Sequence, residues 1–115
     1  MKHAVREENG VIVIVLEGKI MGEPLDTALI NMVDKHIKEN KVNAVMDFSK
    51  VLWMNSMALG ICISILTTLR GRGGDLRLAC VSEKARIFLD RSRMFAVFQS
   101  YDTLEKAIES FKTRT

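Results

Sequence analysis

The residues best placed to do chemistry are the hydroxyl of Ser56 and the side chains around it. Ser56 follows Trp53, Met54 and Asn55 and stands at the start of a long apolar segment with helical character. The N-terminus of a helix carries unpaired N–H groups and a partial positive charge, so it favours an anion. The serine can therefore cap the helix, or it can carry a phosphate group that is added and removed. The residues alone leave both interpretations open.

Other reactive chemistries have little support. A Ser-His-Asp triad would require His3 or His36 to reach Ser56, and His36 lies in a charged helical segment. The chain has no Gly-x-Ser-x-Gly motif, no dinucleotide-binding glycine pattern and no P-loop. Cys62 and Cys80 lie in apolar stretches, which predicts free thiols in a reducing compartment rather than metal ligands. We therefore predict no cofactor and no metal, and a serine-nucleophile enzyme is the weakest hypothesis.

Composition and charge favour a soluble globular protein. The chain has 115 residues, of which 48% are hydrophobic and 27% charged, a composition typical of one globular domain over residues 1–115. The formal net charge of +3 comes without a dense basic run, so nucleic-acid binding is not indicated. The polar first residues do not resemble a signal peptide, and the apolar runs fall short of the roughly 20 residues of a membrane span. We therefore expect a cytoplasmic protein without membrane insertion.

The elements that would position Ser56 alternate along the chain. Asn9-Gly10 between two strand-like segments predicts an antiparallel hairpin whose second strand is the aliphatic run 11–16. Helical apolar spacing then alternates with short aliphatic runs. Up to the second helix, this pattern predicts a loop over 18–22, a helix from Pro24 to about residue 40, a strand over 42–46, a loop before Ser56 and a helix over 56–70. After it, the pattern predicts a turn over 71–74, a strand over 76–81, a helix capped by Ser82, an edge strand over 96–98 and a helix from 102–105 to about 112. The order strand, helix, strand implies right-handed crossovers and parallel pairing, and hence an α/β fold.

The segment around Ser56 resembles the signature of the STAS domain, in particular that of the anti-sigma factor antagonists. The family pattern is Asp-x-Ser-x-Val, a few residues, then Met-Asp-Ser-Ser-Gly-Leu-Gly at a helix start, and residues 47–51 and 54–60 are similar to it. Weaker similarities follow in the family's order at Gly18, at the Gly73-Gly74 turn and its following strand, and at 86–88 and 95–98. The resemblance covers nearly the whole chain. It implies a single STAS-like domain, with a four- to five-stranded mixed sheet and about four helices packed mainly on one face.

The resemblance also implies a switch. In that family the unmodified antagonist binds an anti-sigma factor that is also a serine kinase, and a sigma factor is released. The kinase then phosphorylates the first serine of the motif, and binding is lost until a phosphatase acts. Carried over by position, the phosphorylated residue is Ser56. The implied partners are thus a kinase and a phosphatase, and we expect a monomer or a weak dimer.

The predicted partner surface surrounds Ser56, because large apolar side chains on a short loop are typical of interaction sites. The contact residues that we predict are Trp53, Met54, Asn55, Met57, Ala58 and Leu59, together with Lys19 and Met21 from the neighbouring loop. Asp47 and Ser49 are predicted to support the loop before the helix, with Asp47 accepting hydrogen bonds at a strand end.

Three departures from the family motif bear on the switch. Asn55 stands where the family has Asp, Met57 where it has a second Ser, and Ala58 where it has Gly. The first change removes a negative charge beside the acceptor hydroxyl, the second adds apolar bulk, and the third restricts the backbone to ordinary helical angles. The alternative hypothesis is therefore a STAS scaffold or transporter-associated subunit that is not phosphorylated.

Overall fold

The computed structural model describes residues 2–20, 25–91 and 95–112, which form a five-stranded mixed sheet and its helices. In chain order the elements are β1 (Lys2–Glu8), β2 (Val11–Ile20), α1 (Leu25–Lys38), β3 (Asn43–Met54), α2 (Ser56–Arg70), β4 (Asp75–Ala79), α3 (Glu83–Arg91), a 3₁₀ turn (Phe95–Val97), β5 (Gln99–Tyr101) and α4 (Leu104–Glu109). The strands lie side by side in chain order. β1 pairs antiparallel with β2, and every later neighbour pairs parallel, as the hairpin and crossover predictions require.

The hairpin has a local cause. Asn9 and Gly10 connect β1 to β2 with φ values of 55° and 80°. Both values lie in the left-handed region, which asparagine and glycine adopt most readily and which two-residue hairpin turns of the right twist require. Glu8 is therefore set opposite Val11, and the register of the whole pair follows from this turn.

Helices cover both faces of the sheet, but unequally. Successive strand residues point to opposite faces, so β2 contributes Ile12, Ile14 and Leu16 to one face and its three valines to the opposite face. The larger core contains residues of α1, α2 and α3, including Leu29, Leu66 and Leu89. The smaller core forms under α4 and includes Val11, Val13, Val45, Ala79, Ala107 and Ile108. The expectation of helices mainly on one face is confirmed.

The predictions of a loop before α1 and of a loop before α2 were wrong in extent. β2 continues to Ile20 and β3 continues to Met54, so the two strands form a long ribbon that ends beside α2. The pairing of this ribbon is irregular, and Gly18 there has a φ of 89°, which is a backbone angle typical of glycine at bulges. The polar residues at 49–50 interrupt the apolar pattern without ending the strand. Pro24 and the predicted helix start lie outside the described residues.

The C-terminal elements differ from the prediction by a few residues. The last strand is Gln99–Tyr101 rather than 96–98, because residues 95–97 form the 3₁₀ turn and pairing with β4 begins only at Gln99. The predicted cap of α3 is confirmed, since the Ser82 hydroxyl accepts the N–H of Ala85 at 3.1 Å. None of the helices within the described ranges is long and apolar enough to cross a membrane.

Candidate functional site

The start of α2 is capped by Asn55 and not by Ser56. The Asn55 backbone is extended (φ −104°, ψ 179°), and its side-chain Oδ1 accepts the N–H of Ala58 at 2.9 Å. Its carbonyl oxygen accepts the N–H of Leu59 at 3.1 Å, which closes the first turn. Asn55 therefore satisfies the geometry of an N-cap, and Ser56 is the first helical residue. From the sequence, Ser56 is a possible cap, and the structure assigns that role to Asn55 instead.

Ser56 is exposed and is flanked by exposed apolar side chains. Trp53 is 46% exposed and Met57 is 62% exposed, although both are large hydrophobic residues. Leu52 is 69% exposed and belongs to the same segment, and the sequence prediction missed it. We call these three residues the apolar rim. Water-exposed side chains of this size near a hydroxyl are typical of a contact surface for another protein.

Three residues predicted as partner contacts lie in the core instead. Met54, Ala58 and Leu59 are only 2–3% exposed and belong to the larger hydrophobic core. The reason is geometric: α2 packs its inner face on the sheet, and positions 58 and 59 begin that face. In this conformation these side chains support the site from beneath, and the large apolar side chains that remain exposed are those of the apolar rim.

The loop that the sequence placed beside the site is only partly described. Lys19 belongs to β2, is exposed, and lies opposite Trp53 in the strand register. This pairing brings a cationic side chain to the strand next to the apolar rim. Met21 lies outside the described residues.

Asp47 supports the strand that leads to the site. Its side chain is nearly buried, with 8% exposure of the residue, and Oδ1 accepts the backbone N–H of Ser49 at 2.9 Å. This bond forms where β4 ends, since Asp47 is paired with the last residue of that strand. A local side-chain acceptor of this kind stabilises the backbone where the ladder on one side stops.

The two cysteines are free thiols with little tendency to ionise. Burial raises the pKa of Cys62 from 9.0 to about 12. Cys80 is half-buried, and its pKa is raised by burial and, secondarily, by the negative charge of Asp47. Thiolates are the reactive form, so neither cysteine is poised as a nucleophile. Within the described residues, no group of three His, Cys, Asp or Glu side chains has a metal-binding arrangement.

The electrostatics of the α2 start favour an anion. The first turn of α2 contains no acidic residue, so the positive end of the helix dipole is not compensated there. The cap occupies the N–H of Ala58, and the first N–H groups of any α-helix have no acceptor within the helix. An exposed hydroxyl at this position can carry a charged group without displacing a structural hydrogen bond.

The strand order and the crossovers define a small α/β domain, and the exposed hydroxyl of Ser56 lies at the junction of β3 and α2. A family model of the STAS domain matches residues 2–107. The chain belongs to the STAS domain family. A sequence comparison with curated proteins found no match.

Solved structures share this fold at low sequence identity. Unphosphorylated SpoIIAA, an anti-sigma factor antagonist, is 16% identical with a TM-score of 0.78, over 98% of this chain and 100% of that chain. An anti-sigma factor antagonist from Mycobacterium paratuberculosis is 21% identical with a TM-score of 0.80, over 96% and 93%. A sulfate transporter family protein from Wolinella succinogenes is 18% identical with a TM-score of 0.79, over 91% and 87%.

Proposed function

We propose that this STAS domain is a regulatory protein-binding module of the anti-sigma factor antagonist type, switched by reversible phosphorylation of Ser56. One observation carries the proposal: Ser56 is exposed at the first position of α2, while Asn55 caps the helix. Modification of the Ser56 hydroxyl therefore does not remove the N-cap of α2. Ser56 also stands beside Trp53 and Met57, whose exposure makes them candidates for direct contact with a partner.

Phosphate at Ser56 would affect binding far more than folding. A phosphoserine adds about −1.5 to −2 charge and three acceptor oxygens. The helix start provides free N–H groups and a favourable dipole, and no acidic residue of the first turn opposes the charge. A partner that covers the apolar rim would have to remove water from this charge, which is costly without a compensating cation. Binding is then lost while the fold is retained.

The family relationship supports a specific type of partner. Two of the three structural neighbours described above are named anti-sigma factor antagonists, and SpoIIAA has been solved in unphosphorylated and phosphorylated forms. We infer a partner anti-sigma factor with serine kinase activity, and a phosphatase that restores the unmodified state, in the cytoplasm of a bacterium. In this proposal the partner contacts Leu52, Trp53, Met57 and Lys19, with Asn55 and Ser56 at the centre.

The phosphorylation step is tested with the anti-sigma serine kinase that affinity capture on this protein recovers from the native cell. The protein is incubated with that kinase, ATP and Mg²⁺, and its intact mass is measured. We expect one added phosphate, and none on Ser56→Ala. Ser64, exposed on the same helix, provides the matched control, since Ser64→Ala should be modified as fully as the parent protein. Absence of phosphate, or its persistence on Ser56→Ala, would refute the switch.

The binding step is tested separately with Ser56→Asp. We expect its affinity for the anti-sigma factor to fall at least about tenfold, or 1.4 kcal/mol. Its melting temperature should stay the same or rise slightly, because a negative charge suits the first turn. Trp53→Ala should lower affinity comparably, since exposed aromatic residues often dominate interfaces. Unchanged affinity of both variants would place the partner elsewhere on the domain.

A transporter-associated scaffold is the second candidate function. The likeness to a sulfate transporter family protein favours it, as do Asn55 and Met57, which depart from the phosphorylated motif. In this case the same apolar rim docks on a transporter subunit and Ser56 stays unmodified. Affinity capture from the native cell distinguishes the two functions: recovery of transporter subunits supports the scaffold, and recovery of a serine kinase supports the switch.

A further inference from the structure

The outer side of β1 is an open strand edge. β1 pairs with β2 on one side and is the terminal strand of the sheet in the described residues. It runs for seven residues, Lys2–Glu8, whereas β5 at the opposite edge has only three. A long edge presents a row of backbone N–H and C=O groups that can pair with another strand. Of the two edges, β1 is therefore the better template for pairing.

The sequence of β1 is complementary to itself when two copies run antiparallel. Centred on Val5, the two-fold pairing sets position 2 (Lys) opposite 8 (Glu), His3 opposite Glu7, and Ala4 opposite Arg6. Every facing pair then consists of opposite charges, of an imidazole and a carboxylate, or of residues that do not repel. Facing side chains also project from the same face of the sheet, because each pair joins two even or two odd positions. Opposite charges across antiparallel strands are stabilising, and like charges are destabilising.

Neighbouring registers are worse. A shift by two residues in one direction sets the Lys at position 2 opposite Arg6, which places two cations together. The same shift in the other direction sets Arg6 opposite its own copy. A shift by one residue would pair side chains from opposite faces of the sheet. The charge pattern therefore favours a single register.

We propose that the outer edge of β1 binds a second copy of this chain, forming a two-fold symmetric dimer with a continuous sheet. Charges within the protomer do not prevent this pairing. Arg6 contacts Glu8 at 3.1 Å and Lys41 contacts Glu7 at 2.6 Å, and all four side chains are 33–50% exposed. Exposed ion pairs contribute little and rearrange easily. The dimer is weak, since one strand pair buries little area, and it does not depend on the proposed function of Ser56.

The first test changes the charge at position 4, which is exposed and faces Arg6 twice in the symmetric dimer. Sedimentation equilibrium from micromolar to millimolar protein gives the dimer dissociation constant. We expect Ala4→Arg to raise it at least about tenfold and Ala4→Glu to lower it by a similar factor. Gln99→Arg and Gln99→Glu, on the opposite edge strand, are the matched controls and should leave it unchanged.

Three results of this test would overturn the proposal. They are a parent protein that stays monomeric at millimolar concentration, equal shifts for Ala4→Arg and Ala4→Glu, and a response of the Gln99 variants instead. Circular dichroism spectra and melting temperatures of the Ala4 variants check that each protomer remains folded. The variants change an exposed side chain and no backbone donor, so all of them retain the pairing of β1 with β2.

The second test fixes the register by disulfide trapping. Residues directly opposite in antiparallel strands have Cα atoms about 4.5–5.5 Å apart, which suits a disulfide. A mixture of His3→Cys and Glu7→Cys proteins, oxidised with glutathione disulfide, should therefore give a crosslinked heterodimer. Each variant alone should give none, because two copies of position 3 lie four residues apart in this register. Crosslinking of either variant alone to the same yield would refute the register.

Discussion

Replacing Asn55 by alanine should destabilise the domain, whereas replacing its neighbour Ser56 by alanine should not. Asn55→Ala removes the 2.9 Å hydrogen bond from the Ala58 N–H to Oδ1 and leaves that donor without its cap. Losing an N-cap side chain costs about 1 kcal/mol, within a range of roughly 0.5–2. Ser56→Ala deletes an exposed hydroxyl at the first helical position, and alanine is the better helix former, so the change should stay within about 0.5 kcal/mol.

Urea denaturation measures this difference directly. A domain of this size has an m value of about 1–3 kcal/mol per molar urea, so 1 kcal/mol moves the midpoint by roughly 0.5 M. The same change lowers the melting temperature by about 3–6 °C. Asn55→Asp is the matched control: it keeps an acceptor oxygen in place and adds a negative charge at the helix N-terminus, so it should be at least as stable as the parent protein.

One outcome would refute the assignment of the cap. If Ser56→Ala were as destabilising as Asn55→Ala, the serine hydroxyl would have a structural role that the geometry gives to Asn55. The proposed switch would then lose its physical basis, because phosphate would compete with folding. If Asn55→Ala were neutral, the hydrogen bond to Ala58 would contribute nothing and the helix start would be held by packing alone.

Three further changes probe the surrounding fold. Gly74→Ala should destabilise the domain by roughly 2–4 kcal/mol, measured by urea denaturation, because a Cβ at this position would overlap the carbonyl oxygen of Val42. Gly60→Ala is the control: a Cβ there has no neighbouring atom within 4 Å, so the change should be neutral or stabilise by up to about 1 kcal/mol. Burial raises the Cys62 pKa from 9.0 to about 12, so above pH 9 the thiol loses its proton in the unfolded chain but keeps it in the folded protein. The contribution of Cys62 to the free energy of unfolding is therefore complete below pH 9 and decreases by about 1.4 kcal/mol per pH unit above it. The stability advantage over Cys62→Ala should accordingly shrink between pH 9 and 11, and a constant difference would contradict the buried neutral thiol. Asp75→Asn should cost about 2 kcal/mol in thermal denaturation, since that nearly buried carboxylate accepts hydrogen bonds from two arginine side chains.

The parts of the fold that could be predicted from sequence are those with local causes. Asn9-Gly10 defines the hairpin because few residue pairs tolerate two consecutive left-handed backbone angles. The start of α2 could be predicted from sequence because a residue type that caps helices precedes a long apolar run. The observed helix, Ser56–Arg70, matches the predicted span. In both cases a short stretch of chain has one clearly preferred conformation, and tertiary contacts agree with it.

The extent of the long strands could not be predicted, because their cause is not local. Ser49 and Lys50 are exposed and interrupt the apolar alternation of β3, which suggests a loop. Pairing with β2 nevertheless carries the strand on to Met54, with irregular register near Gly18. Hydrogen bonding to a neighbouring strand thus decides the conformation of these residues, and a single sequence does not display that partner.

The sequence also did not show which residues of the site are exposed and which are buried. Met54 and Met57 have the same side chain and lie three residues apart, yet the first is 2% exposed and the second 62%. Met54 ends a strand whose inner face packs on the core, whereas Met57 is in the first turn of a helix and points away from it. Residue type identifies the apolar side chains of this segment, but only the direction of each side chain decides which of them is buried and which is exposed.

The asparagine at position 55 changes the balance of the proposed switch. An aspartate there would cap α2 equally well but would stand next to the phosphate on Ser56, so the modified protein would hold two adjacent negative charges. Asn55 keeps the 2.9 Å bond to the Ala58 N–H and removes that repulsion. In the proposed switch, a phosphate on Ser56 would therefore be easier for this fold to accommodate than in a relative with the family's aspartate. The same substitution takes a carboxylate away from the acceptor hydroxyl, so any assistance in phosphate transfer must come from the kinase.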